Sequence, residues 1–216
     1  MRFLHPERDE SLELSTDDVF INPGFFDGSS RLDTNLTPPD FAGSSHPIVS
    51  ANMNAVTGKR MAETMARYGG LGVLPQDMEL GTVERIVKHI HGADPRYDTP
   101  LEVHPRATLR DVQGIIRKRS HDLVVVVDRE RRPVGVVTHS VLEDRDQYTP
   151  VEAVMSKRIA LLPVGIPNRD AFIKMEEERV KAAPVVDAQG RLVGVLGKDD
   201  CVRLELLRPA PTGATT

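Results

Sequence analysis

Cysteine is almost absent from this chain: Cys201 is the single one among 216 residues. An intramolecular disulfide and a cysteine-based zinc site are both excluded by that count. Tryptophan is missing and aromatic residues make up only 4%, so the core has to be built from Val, Leu, Ile, Ala and Met. A basic excess is lacking too. The net charge of −4 argues against a general nucleic-acid binder, which carries a positive surplus. Local basic runs stand at 117–119 and 129–132; the second falls in a predicted turn and reads as solvated. Long apolar runs are absent. Residues 1–10 contain no apolar signal core, and no stretch approaches the roughly 20 residues of a membrane span. No membrane partner is therefore expected, and a reducing cytoplasm is the expected location. No metal constellation stands out. His89 and His91 lie two apart at a predicted helix end, where residues do not share a face, and both read as surface histidines.

What the chain does have is a repeat. Hydrophobic residues at 39% and charged residues at 28% are ordinary for a soluble protein, with room for one or two domains. Residues 120–139 read Ser-His-Asp-Leu-Val-Val-Val-Val-Asp-Arg-Glu-Arg-Arg-Pro-Val-Gly-Val-Val-Thr-His. Residues 181–197 read Lys-Ala-Ala-Pro-Val-Val-Asp-Ala-Gln-Gly-Arg-Leu-Val-Gly-Val-Leu-Gly. Each copy has an apolar run ending in an Asp, Asp128 or Asp187. Each then has a Gly seven residues on, Gly135 or Gly194, and a second apolar strand. The spacing predicts a helix over 108–119, strands over 123–127 and 134–137 and a helix from Thr138 in copy one. In copy two it predicts a helix over 169–180, strands over 183–186 and 192–196 and a helix from about Lys198. Asp128 and Asp187 are expected at the hairpin turns, with Gly190 supplying a positive φ. Glu176, Glu177 and Glu178 read as a solvated helix face. Residues 209–216, all Pro, Ala, Gly and Thr, read as a disordered tail.

The sequence before the repeat has another texture. Asn22-Pro23-Gly24, Asp27-Gly28 and Pro38-Pro39 are turn signals. A buried strand is predicted over 47–53, a helix over 58–67 with Met61, Ala62, Met65 and Ala66 on one face, and a stop at Gly69-Gly70. A short strand over 71–74 follows, and then a helix capped by Thr82 that carries Val83, Ile86, Val87 and Ile90. Strand, helix, strand, helix is the pattern of parallel βαβ units.

Several of these motifs carry a family resemblance. The duplicated stretch, with residues 123–128 and 133–138 in copy one, 183–187 and 192–196 in copy two, and Val154-Met155-Ser156 opening the second copy, resembles a pair of cystathionine-β-synthase (CBS) domains. Residues 14–19 with Asn22-Pro23-Gly24, then 47–57, Arg60-Met61-Ala62 and 69–74, resemble the opening of IMP dehydrogenases and GMP reductases. In that family a CBS pair is inserted after the second unit of a (β/α)8 barrel, which is its position here. The Ser50-Ala51-Asn52-Met53-Asn54 form, with Leu74-Pro75-Gln76-Asp77, is most similar to the CBS-containing GMP reductase branch. The fold implied is α/β: a portion of a TIM barrel over 1–91, one CBS domain over 97–152, a second over 153–208, and the tail.

The resemblance also implies chemistry. The family interconverts purine nucleotides through a covalent thioimidate on cysteine, with NADP or NAD carrying the hydride. Its catalytic cysteine loop, phosphate-binding glycine loops and flap follow the CBS pair, whereas this sequence stops at Thr216. A truncated, non-catalytic member is the expectation, with no catalytic residue and no cofactor of its own. Cys201 reads as a small buried residue. The alternative is one part of an active GMP reductase or IMP dehydrogenase whose remaining barrel lies elsewhere. Ser50, Ala51, Asn52, Met53 and Asn54 would touch a bound nucleotide, at the strand end where barrel active sites form; Met53 alone could equally be core packing. CBS pairs bind adenine or guanine nucleotides through a Thr or Ser and an Asp three residues later. Copy one has Thr138 but Val141, and copy two has Asp200 but Gly197. Each cleft therefore keeps half of the polar pair, and a role in association alone stands beside nucleotide binding. Homo-oligomeric association is expected.

Overall fold

Two βαββ units and a shorter βαβα stretch make up the described part of the molecule. The structure, a computed structural model, describes residues 42–143 and 145–206, together with 15, 17, 20, 23–25 and 27–38. The opening motif at 14–19, its companion at 22–24 and the tail at 209–216 lie wholly or partly outside the described residues. The chain divides into two compact units, Met1–Asn35 and Leu36–Thr216. In the first, a 3-10 turn spans Arg31–Asp33, and Asp33 Oδ2 accepts from the Ser30 amide at 2.9 Å.

In the second unit β1 (Val49–Ser50) pairs in parallel with β2 (Leu71–Gly72), and α1 (Lys59–Tyr68) crosses between them. The helix α2 (Leu80–Gly92) follows. The apolar run at 47–53 yields only two paired residues. Its pairing partner is itself short, and after Ser50 the backbone closes into a turn, with the Val56 and Thr57 amides donating to the Met53 carbonyl at 2.8 and 2.9 Å. The helix α2 begins at Leu80, ahead of Thr82. The Thr82 hydroxyl instead accepts from Arg85 Nη2 at 2.8 Å, so it is no cap.

The first module contains β3 (Leu101–Val103), α3 (Leu109–Ile116), β4 (Leu123–Val127) and β5 (Pro133–Thr138). The second contains β6 (Leu162–Pro163), α4 (Asn168–Glu177), β7 (Ala182–Val186), β8 (Leu192–Gly197) and α5 (Lys198–Leu206). In each sheet the first pair is parallel and the second antiparallel. Thr108 opens α3 with a reciprocal capping box to Asp111, an arrangement worth about 1 kcal/mol. The unbroken run of β4 has a plain cause. Val124 and Val126 face α3 and their own module's core, while Leu123, Val125 and Val127 pack with Ala182, Leu192 and Val195 of the second module. A strand covered on both faces shows no polar alternation.

The modules also exchange edges. Asp98, in the segment that leads into the first module, bridges Val195 of β8, and Ser156, which leads into the second, bridges Val136 of β5. The repeated glycines lie beneath these crossings. A Cβ on Gly194 would come within 2.6 Å of Tyr97 Cβ, and one on Gly135 would run into the Met155 side chain.

The two copies diverge at their last helix. In copy two it is α5, nine residues long. The helix expected from Thr138 is a single 3-10 turn, His139–Leu142. Asp200 explains the difference: its Oδ2 accepts from the Gly197 amide at 3.1 Å, satisfying an N-terminal donor in the manner of a capping box. Val141 stands at that position in copy one and cannot accept.

Candidate functional site

The turn after β1 is locked from below. Thr57 is fully buried. Its Oγ1 lies 3.0 Å from Ser50 Oγ and donates to the Ala51 carbonyl. Ser50 is buried, while Ala51, Asn52, Met53 and Asn54 are exposed. Met53 keeps 57% of its surface, so it presents an apolar side chain at the strand end rather than packing in a core. Asn54 Nδ2 donates to Asp77 Oδ2 at 2.7 Å, which ties the first strand-end loop to the one after β2. A cleft of about 580 Å³ adjoins it, lined by Asn54, Val56, Arg60, Met61 and Thr64 among others. The structure thus brings residues 50–54 together as one loop with Asp77; Thr57 and Asp77 carry its geometry.

The module-pair positions are not equivalent. Thr138 is exposed, its Oγ1 3.0 Å from Ser140 Oγ. Asp200 is engaged from two sides: by the Gly197 amide, and by Arg203, whose Nη2 lies 3.2 Å from Oδ1. Arg203 is buried. Its Nη1 donates to the Arg67 carbonyl at 2.8 Å, and its guanidinium sits 4.8 Å from the Tyr68 ring centroid.

Between α1 and the modules lies a buried charge cluster. Glu63 is 1% exposed. It accepts from Arg67 and Thr99, from Arg119 Nη2 at 3.0 Å, and faces His89 Nε2 at 3.1 Å. Asp98 Oδ1 accepts from Arg67 Nη1 and Arg119 Nη1 at 3.0 and 3.1 Å. Burial alone would raise the Glu63 pKa, but Arg119, Thr99, Arg67 and His89 together hold it down to about 2. Burial pushes the His121 pKa down, against Asp98 and the Thr99 carbonyl, which pull it up. His89 is thus half-buried and paired, not a surface residue. Arg119, part of the basic run at 117–119, is a buried ion-pair partner. The i,i+4 spacing of Glu63 and Arg67 signals their own pairing. Asp98 and Arg119, 31 and 56 residues from their partners, give no local signal.

Cys201 is buried in α5, its thiol pushed up to about 11 by burial and by Asp200; a thiol so raised is not an activated nucleophile. Among the described residues no group of His, Cys, Asp and Glu could hold a metal, and no helix is long and apolar enough to cross a membrane.

The IMP dehydrogenase / GMP reductase domain matches residues 13–200. A GMP reductase of Mycobacterium tuberculosis (strain H37Rv) is 37% identical over 99% of this chain and 44% of its own length. A crystal structure of GMP reductase from Trypanosoma brucei in complex with guanosine 5'-monophosphate is similar over 90% of this chain and 43% of that one, with 26% identity and a TM-score of 0.64. The same enzyme in complex with guanosine 5'-triphosphate is similar over 88% and 47%, with 27% identity and a TM-score of 0.63. The chain spans less than half the length of these relatives.

Proposed function

The chain belongs to the IMP dehydrogenase / GMP reductase family, and from that membership we propose that it is a GMP reductase-like protein whose module pair binds purine nucleotides. In this reading residues 97–152 and 153–208 are a tandem CBS pair, and residues 1–91 are a portion of a (β/α)8 barrel. The observation that carries it is the exchange of edges, Asp98 onto β8 and Ser156 onto β5. Each copy's entry segment pairs with the other copy's sheet, so the two copies interlock; in this reading a nucleotide cleft would lie on either side of the pair. The guanine nucleotides bound by the Trypanosoma brucei relative support the ligand class.

Thr138 would meet the ribose in the first cleft and Asp200 in the second. Ser50, Ala51, Asn52, Met53 and Asn54 would form one wall of a purine site, Met53 lying on the base. The complete enzyme would draw its hydride from NADP or NAD. The described residues do not fit that chemistry by themselves: the one thiol, Cys201, is buried and high in pKa. We therefore assign no redox step to this chain and expect it to sense or associate rather than turn over. A second reading, one part of an active GMP reductase or IMP dehydrogenase completed by another segment, draws on the exposed apolar surface of Ile48, Val49 and Val73 beside β1 and β2.

Calorimetry with ATP, ADP, AMP and the three guanine counterparts tests the ligand. Binding should weaken in the double variant Thr138→Val, Asp200→Ala by about 1–3 kcal/mol per lost contact. Tight binding unchanged in that variant would discard the assignment. A nicotinamide absorbance assay on the purified chain should show no GMP- or IMP-dependent change; turnover lost on Met53 substitution would favour the second reading.

A further inference from the structure

The turn after β1 is held by its own backbone, which leaves its side chains for something outside. The Met53 amide donates to the Ala51 carbonyl at 2.8 Å, and the Met53 carbonyl accepts from the Val56 and Thr57 amides. The backbone at Met53 therefore needs no partner from a ligand. Asn54 follows the exposed Met53 side chain and lines the cleft of about 580 Å³. Its Nδ2 donates to Asp77 Oδ2 at 2.7 Å. A carboxylate accepts and does not donate. Asp77 thus dictates how the Asn54 amide is turned: the NH2 group faces Asp77, and the carbonyl oxygen faces away from it.

Building on the reading of residues 50–54 as one wall of a purine site, we propose that Asp77 determines specificity there: by fixing the Asn54 amide it makes the strand-end loop select a guanine nucleotide over hypoxanthine and xanthine nucleotides. What the pair leaves for a ligand is one N–H of Asn54, the Asn54 Oδ1 and the Asp77 Oδ1, which is one donor and two acceptors. The pairing edge of guanine carries the complement: O6 accepts, while N1–H and the 2-amino group donate. Hypoxanthine has no substituent at position 2 and offers one donor fewer. Xanthine has an oxygen there, which sets acceptor against acceptor. Position 2 of the ring is therefore where the three bases part.

The fold puts the two residues where a ligand can use them. They stand 23 positions apart, but β1 and β2 run parallel, so the loops that follow the two strands emerge at the same end. That is the end at which parallel α/β sheets take their ligands. Both side chains are exposed, so a ligand reaches them without opening the core. Met53 supplies an apolar surface for the face of a base, and the neighbouring pair supplies polar groups for its edge. A single neutral hydrogen bond of this kind changes affinity by about two- to tenfold, which is the size of selectivity expected. Asp77 acts through Asn54 with one oxygen and on the ligand with the other.

Methyl NMR on the full chain, labelled at methionine Cε, tests the selectivity at the site itself. The Met53 signal, assigned through Met53→Leu, reports a purine ring laid on that side chain. Met155, packed against the core of the first module, reports binding there instead. GMP should move the Met53 signal at a concentration about three- to tenfold lower than IMP does, and XMP should be weaker than IMP. In Asp77→Asn the partner amide can donate as well as accept, so Asn54 is free to turn. The GMP-to-IMP preference should then fall to within about twofold, with IMP itself little changed. Asn54→Leu removes the amide and leaves Asp77, and should have the same effect on the preference. A merely structural role would weaken GMP and IMP together and keep their ratio; that result overturns the selectivity alone, as does a parent chain that binds the two alike. A Met53 signal unmoved by all three nucleotides, with or without a shift at Met155, overturns the purine-site reading of residues 50–54 and the selectivity together.

Discussion

The region before Tyr97 and the module pair after it are held by different forces. Glu63, Arg67, Asp98 and Arg119 bind α1 to the modules through buried, directional ion pairs. Inside the modules the work falls to aliphatic burial: Val124, Val125, Val126 and Val137 expose nothing at all. Apolar burial is non-directional and indifferent to pH. A buried ion pair is worth little over an apolar replacement, but breaking one side of it is expensive. The attachment of the first region is therefore conditional on charge state, while the module pair has a cohesion of its own.

Removing one charge should separate the two regions most sharply. Glu63→Gln leaves Arg67 and Arg119 with Asp98 as their remaining carboxylate, a loss on the order of 3–5 kcal/mol for a buried pair. The cost should fall on residues 42–96 and spare the modules. Limited proteolysis of the variant should leave a resistant core starting near Asp98, and residues 97–208 expressed alone should fold, because Tyr97 and Asp98 stay with β8. Equal protection of both regions in a monomeric sample would show that the division is wrong.

Acid should act on the same joint without a mutation. Glu63 has its pKa lowered from 4.5 to about 2, so it binds protons less readily folded than unfolded. Its contribution is complete above pH 4.5 and is lost as pH falls toward 2, and the shift corresponds to about 3 kcal/mol. His121 is also held down by burial. The unfolded chain gains its proton first, below an ordinary histidine pKa of about 6.5, so folded stability begins to fall there. Exchange followed from pH 8 to 3 should show residues 59–68 losing protection ahead of β4 and β7. Loss in parallel would erase the distinction between the two regions.

Within the module pair the two copies can be compared through their shared glycine. A Cβ on Gly194 meets Tyr97 Cβ at 2.6 Å and the Asp98 carbonyl at 3.1 Å, a packed residue and a backbone. On Gly135 it meets the Met155 side chain, which has more rotatable bonds with which to move. Gly194→Ala should therefore cost about 2–3 kcal/mol and Gly135→Ala about 1 kcal/mol in urea unfolding. Equal costs would mean that the crossing segments yield equally well.

How much of this could be read from residues alone follows from the range of each interaction. Both hairpins were legible, because Asp128, Asp187 and Gly190 act on amides within a few residues. The capping box at Thr108 is equally local. The valine run of β4 was legible as a strand, but not which face met which module. The exchange of Asp98 and Ser156 was not legible, nor was the partnership of Glu63 with Arg119, since nothing between them marks the contact. At the candidate site the order of residues 50–54 was plain. Their locking by Thr57 and their link to Asp77 depend on how α1 returns the chain. The half-motifs were visible as Thr138 with Val141 and Gly197 with Asp200; that Asp200 also holds Arg203 required the fold.

The finest comparison sets Arg131 against Gly190. They occupy the same place in the two hairpins: the Arg131 amide reaches the Asp128 carbonyl at 3.1 Å, and the Gly190 amide reaches that of Asp187 at 2.9 Å. Both have positive φ, 61° and 78°. A side chain in that left-handed region costs about 1–2 kcal/mol, while glycine in its place loses about 0.5–1 kcal/mol through the freedom of the unfolded chain. Arg131 also pairs with Glu102, an exposed contact worth about 0–1 kcal/mol. These terms nearly cancel, so Arg131→Gly should leave stability within about 0.5 kcal/mol of the parent. Arg131→Ala keeps the strain, loses the pair and should fall about 1 kcal/mol below the glycine variant. Urea midpoints of the two variants decide it: an alanine variant as stable as the glycine one would mean that the turn, not the residue, sets the cost of the left-handed backbone.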